Sequence, residues 1–261
     1  MYILISQGGN LRIKRAFRVW QRNFAVYTKR YKSSVVLNFF EPLLYLIALG
    51  FGLGAFVKEI NGIPYINFIA PGIIASSSMF AATFESTYGT YIRMTYQKTF
   101  DAILATPINI DDLVTGEILW GATKGTFYGL IITVVMTVFG FISSPYMFAI
   151  VPFIFIGGII FSEIGIIASA TVPGIDSFNY FYTLFMTPMF LFSGIFFPLD
   201  SLHPLITKIA FFTPLYHLVN ISRSLATNNI VIARWDMLWV VVVMFILGPY
   251  PFRLMRKRII K

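Results

Sequence analysis

The chain has no cysteine, which excludes a disulfide framework and any thiolate metal site. Histidine is almost missing as well. His203 and His217 are the two present, neither forms an HExxH-type ligand pair, and both are expected near the outer membrane face. No GxSxG elbow occurs. A phosphate-cradling loop is absent too, because its nearest match, GEILWGAT at 116–123, has Ala122 where a lysine is needed. No catalytic, cofactor or metal site is therefore expected in this chain. Charge is also scarce, at 12% of residues against 57% hydrophobic and a mean hydropathy of +0.76. That balance is too apolar for an ordinary soluble domain.

What fills the chain is apolar sequence in lengths that suit a bilayer, about 20 residues per crossing. Six such segments can be read, at 34–57, 64–84, 113–142, 146–172, 178–199 and 235–254, separated by turn residues such as Gly62 and Pro64, Ser143 to Pro145, and Pro173 with Gly174. The reading is an all-α membrane protein, one transmembrane domain over 1–261, with the six helices in 34–254 and a basic tail at 255–261. The start, residues 1–10 followed by a basic stretch, does not read as a secretory signal.

The formal charge of +9 is gathered towards the two ends, which suits anionic lipid better than nucleic acid. With both termini inside, fifteen Lys and Arg fall on the cytoplasmic side against four outside, Lys58, Lys208, Arg223 and Arg234, while Lys124 lies within a crossing. The positive-inside rule then places both termini in the cytoplasm.

Ahead of the first crossing, at 11–32, Ile13, Phe17, Trp20, Phe24, Tyr27 and Tyr31 recur at helical spacing among Arg and Lys, with Asn10 as the candidate N-cap. This is an interfacial amphipathic helix, either an anchor or a lever touching a cytoplasmic partner. Between the second and third crossings, Ile92, Tyr96, Phe100, Ile103 and Leu104 fall near one helical face. Pro107 ends that helix, and Asp111 or Asp112 caps the next. Such a loop either lies flat on the membrane or plugs a site on another protein.

The runs PLLYLIALGFGLG, YINFIAPGIIASSSMFAATFEST, RMTYQKTFDAILATP, GEILWGATK and FLFSGIFFPLDSLHP, with PLYH at 214–217 and Arg223, closely resemble the ABC-2 type permeases. The likeness is greatest to the nodulation-factor, lipo-oligosaccharide exporter group, and it spans nearly the whole chain in order. It implies an exporter subunit of the cell (inner) membrane, two permease copies, two separate ATPase subunits that bind ATP and Mg, and two re-entrant helices near 201–213 and 215–226. It also makes the FDAILATP loop the docking element, through Arg93, Tyr96, Phe100, Asp101, Ile103, Leu104 and Pro107.

Three acids sit in or beside crossings, Glu41, Glu85 and Glu163, where charge is costly and faces protein or water. They act either as proton relays of an ion-coupled carrier or as structural groups paired with Lys124 or another base. Glu41 precedes Pro42 and marks a kink. Glu41, Tyr45 and Glu85 are the candidate substrate path, Tyr45 lying one turn from Glu41 and ahead of Gly50, Gly52 and Gly54. A tyrosine offers an apolar face and a hydroxyl to an amphiphilic cargo, although tyrosine is also common at membrane interfaces.

Overall fold

The computed structural model describes residues 12–228 and 233–260, with the backbone alone at 30 and 32–39. Asn10, Lys261 and the four residues at 229–232 lie outside them. The chain is helical almost throughout: α1 Ile13–Tyr45, α2 Tyr65–Phe84, α3 Thr99–Leu104, α4 Ile110–Val138, α5 Val151–Thr171, α6 Phe178–Phe181, α7 Thr187–Leu191, α8 Pro204–Phe211, α9 Pro214–Ala226, α10 Arg234–Leu247 and α11 Pro249–Ile259. Among the described residues, four helical runs are long and apolar enough to cross a membrane, Tyr65–Tyr96, Ile110–Val138, Pro145–Thr171 and Arg234–Ile259, with a shorter apolar helix at Phe40–Ala55. The fifth expected crossing, 178–199, is a broken run: α6, a π-helical stretch Tyr182–Met186 and α7, after which the chain leaves helical winding at Phe192.

Three departures from the sequence expectation position the site. First, the helix over 11–32 does not end before the first crossing but runs on unbroken as α1 through Pro42 to Tyr45. Its contacts climb α4 in parallel: the Arg12 amide donates to Asp112 Oδ1 at 2.7 Å, Trp20 Nε1 to Thr123 Oγ1 at 2.9 Å, and the Tyr27 and Tyr128 hydroxyls meet at 2.9 Å. The face that packs is Ala16, Val19 and Asn23, whereas Ile13, Phe17, Phe24 and Tyr31 of the aromatic stripe stay exposed. Gly116 makes this seam possible, since a Cβ there would stand 2.7 Å from the Ala16 carbonyl.

Second, the second span does not stop at Phe84. It continues through π-helical segments Glu85–Gly89 and Ile92–Tyr96 and then turns at Lys98, which takes a left-handed conformation (φ 53°). That conformation is uncommon away from glycine and reverses the chain sharply. Ile92 and Tyr96 thus belong to the span, and Phe100, Ile103 and Leu104 to the separate α3. Third, α4 is capped by Asn109, with Asp112 as its reciprocal partner in a capping box. Asp111 instead pairs with Arg256 of α11.

These contacts gather the start of α1, α3, the start of α4 and α11 at one end, around Val19, Phe100, Leu113, Val114, Ile166 and Met255. At the other end Asn61 and Gly62, both at positive φ, close a two-residue hairpin between β1 (Glu59–Ile60) and β2 (Ile63–Pro64). Two short helices, α8 and α9, occupy that end where re-entrant helices are expected, and α9 packs against α2 and α5. His217 is buried there rather than interfacial. Its Nδ1 lies 2.6 Å from Asp236, its Nε2 lies 2.7 Å from the Phe211 carbonyl, and its ring stacks on Trp239.

Candidate functional site

Where α1, α2 and α4 meet, four charged side chains form a continuous chain. Arg93 reaches Glu85 Oε1 and Glu117 Oε2, each at 2.5 Å, and Lys124 Nζ reaches Glu85 Oε2 at 2.8 Å. Asn23 Nδ2 donates to the remaining Glu117 oxygen at 2.8 Å, and the Thr90 hydroxyl donates to Glu117 Oε2 at 3.2 Å. Two acids and two bases cancel. Every carboxylate oxygen is satisfied, which is the condition under which buried charges are tolerable. Gly89 lies directly beneath the Arg93–Glu85 pair, where a Cβ would come within 2.8 Å of Glu85 Oε1.

This cluster continues to the loop. Arg22 of α1 donates to Asn23 Oδ1 at 2.9 Å and to Thr99 Oγ1 of α3 at 3.4 Å. Phe100 is buried against the body and anchors α3, while Tyr96, Lys98, Asp101, Ala102, Thr106 and Pro107 are exposed. Ile103 and Leu104 are half-buried and pack back on the same cluster as Phe100. A groove beside α3 is lined by Arg22, Gln97, Lys98, Thr99, Ala102, Ile103, Thr106 and Ile108. Of the seven residues expected at a docking surface, Tyr96, Asp101 and Pro107 face out, Ile103 and Leu104 form the flank, Phe100 is the anchor, and Arg93 is turned inward to the ion pairs.

The expected substrate path divides. Glu41 and Tyr45 share a narrow cleft with residues of α2 and α7, whereas Glu85 belongs to the charged chain and is held on both oxygens by cations. Glu85 is thus held by two cations, Lys124 being the pairing that the residues allowed. Glu163 is buried on α5, and its Oε2 has no hydrogen-bond partner. Sequence reading missed Asn23 and Glu117. A signal existed for Glu117, which is seven residues, two helical turns, before Lys124 on the same face.

A bundle of long apolar helices with a neutral, fully paired charge cluster at one end and an exposed short helix beyond it has the build of a polytopic membrane protein. The family model described as ABC-2 type transporter matches residues 15–226. Nodulation protein J of Sinorhizobium fredii (strain NBRC 101917 / NGR234) is 38% identical over 205 residues, covering 78% of each chain, and that of Rhizobium leguminosarum bv. viciae is 38% identical over 78% of this chain and 79% of its own. The inner membrane transport permease YadH of Escherichia coli (strain K12) is 21% identical over 88% of this chain and 90% of its own. The chain belongs to the ABC-2 type transporter family, as a multi-pass membrane permease.

Proposed function

We propose that this chain is the membrane-spanning subunit of an exporter in the cell (inner) membrane, with both termini cytoplasmic, working as a pair of permease copies with two separate ATP-binding subunits. Those subunits bind ATP and Mg, and this chain carries no catalysis. Its cargo is an amphiphile such as a lipo-oligosaccharide or glycolipid, a class supported by the likeness of the sequence runs to nodulation-factor exporter permeases. The reading counts six crossings, adding the Phe40–Ala55 helix and the run from α6 to α7 to the four long ones.

The observation that carries the reading is α3 with the turn that follows it, fixed to the body by Phe100 yet exposed at Asp101 and Ala102 and then at Thr106 and Pro107. A short helix that is both anchored and uncovered is a rigid knob for a partner's cleft. Through Thr99, Arg22 and Asn23 it is hydrogen-bonded to the charged chain, so a push on α3 reaches the α1–α2–α4 seam without passing through flexible sequence. The ion-coupled alternative through Glu41, Glu85 and Glu163 loses its middle member to the two cations on Glu85.

Ala102→Arg tests this directly, because it places bulk and charge on the exposed face and leaves Phe100 in place. Co-purification of the ATP-binding subunit should fall by about tenfold or more, as expected when an interface anchor worth about 2 kcal/mol is lost. Membrane insertion should be unchanged. Normal co-purification and transport would move the docking surface elsewhere. Impermeant labelling should reach residue 205 from outside and residue 98 from inside only.

A further inference from the structure

The cleft that holds Glu41 and Tyr45 lies between the second half of α1, α2 and α7, and its polar lining is completed by Ser76 and Ser77. Its remaining walls are Pro42, Ile73, Phe80 and Phe190. The rings pack edge-on, Tyr45 on Phe190 at 5.4 Å and Phe80 on Phe190 at 5.2 Å, so the apolar side of the cleft is braced by aromatic contacts. Glu41 and Tyr45 are both exposed at its rim.

The hydrogen-bonding capacity of this lining is one-sided. Ser76 and Ser77 each give their single hydroxyl proton to the Ile73 carbonyl, at 3.0 and 2.7 Å, and so have only lone pairs left to offer. Glu41 has no hydrogen bond or ion pair among the described residues, and no lysine, arginine or histidine lines the cleft. An ionised carboxylate is acceptor-only. Among the described lining residues, Tyr45 is the one group with a proton to give. A carboxylate on an apolar helix with no partner among the described residues is an unmet demand for one.

We propose that this cleft is a head-group subsite, that its occupant is an amphiphile whose head donates hydrogen bonds, an ammonium or a polyhydroxyl sugar, and that Glu41 rejects anionic heads. The aromatic edges suit both kinds, since rings attract ammonium groups and pack against the apolar face of a sugar. Pro42, Ile73 and Phe190 then receive the first methylenes of the chain. The proposal deepens the export reading and rests on it for the direction of movement.

The test uses purified full-length chain in phosphatidylcholine nanodiscs and three photoactivatable probes with one alkyl chain and different heads: a primary ammonium, a glucoside and a sulfate. Labelled peptides are located by mass spectrometry. Peptides containing residues 41–45 and 73–80 should be labelled by the ammonium and glucoside probes roughly tenfold more than by the sulfate probe, the difference expected between a charge-assisted bond and like-charge repulsion. Glu41→Gln should remove most of the ammonium preference and leave glucoside labelling within about twofold. Ser77→Ala is the second variant, which lowers glucoside labelling while the ammonium probe still binds. Sulfate labelling equal to the others, or an ammonium preference untouched in Glu41→Gln, would overturn the subsite. Because the measurement needs no ATPase, absence of labelling while the ATP-binding subunit still co-purifies sinks this proposal alone. Normal labelling without any such partner sinks the export reading alone.

Discussion

The bundle buries acids in two seams, and it treats them differently. In the seam of α1, α2 and α4, Glu85 and Glu117 meet Arg93, Lys124, Asn23 and Thr90, and no oxygen is left over. In the seam of α5 with α10 and α11, Glu163 stands near Gly248 with one oxygen unpartnered. The neighbours explain the contrast. The Tyr65–Tyr96 span packs against α1 and α4, which supply Asn23, Glu117 and Lys124 to the charge cluster. Glu163 of α5 faces Gly248 of the largely exposed Arg234–Ile259 run, a residue with no side chain to offer. Charge set among charged and amide neighbours can serve as a structural material. A carboxyl facing a glycine has no partner at that point.

The strongest way to break this comparison is Arg93→Ala, which strips a cation from two buried carboxylates at once. It should cost about 3–5 kcal/mol, the usual effect of orphaning a buried ion-pair partner, and appear as a large fall in folded yield and melting temperature in detergent. Arg93→Lys should recover only part of that, because an ammonium lacks the planar fork that spans two carboxylates. Gly89→Ala is expected next, at about 1–3 kcal/mol, because the added methyl forces the Arg93–Glu85 pair apart. Asn23→Leu should cost about 1–3 kcal/mol by removing the donor to Glu117 Oε1 without touching an ion pair. The smallest effect belongs to the other seam. Glu163→Gln should change the melting temperature by the equivalent of less than about 1 kcal/mol, or raise it, since no partner is lost. A loss as large as that of Arg93→Ala would show that Glu163 is compensated after all.

Much of this was legible in the sequence, and the illegible parts share a cause. Hydropathy located the apolar segments because composition alone decides which stretches avoid water, whereas the two short helices near 204–226 were expected from the family resemblance, and Pro204 and Pro214 stand at their first turns. Pairing of Glu85 with Lys124 was one of the alternatives the residues allowed. The inward turn of Arg93 was not readable, because it depends on π-helical winding and on Lys98 at positive φ, neither of which has a residue signature there. The aromatic stripe of α1 was visible, yet of its members only Trp20 and Tyr27 reach α4, and the fully buried face is the unremarkable Ala16, Val19 and Asn23. What selects it is Gly116 on another helix.

The two π-helical segments at the end of the second span set an angle. An unbroken α-helix turns about 100° per residue, so residues eight apart, as Glu85 and Arg93 are, would point about 80° away from one another. Wider i→i+5 turns take more residues to complete a circle and cancel part of that difference, which lets both side chains face α4. The phase of everything beyond is fixed by the same device. Straightening the π turn at full length would swing α3 about the helix axis by roughly 80°, whereas removing one residue from 86–88 as well would leave the two side chains seven apart, about 20° from alignment, and shorten the rod by only about 1.5 Å. Relatives one residue shorter here would therefore present the same side of that short helix to whatever lies beneath the membrane, the surplus residue of this chain being absorbed where it stands.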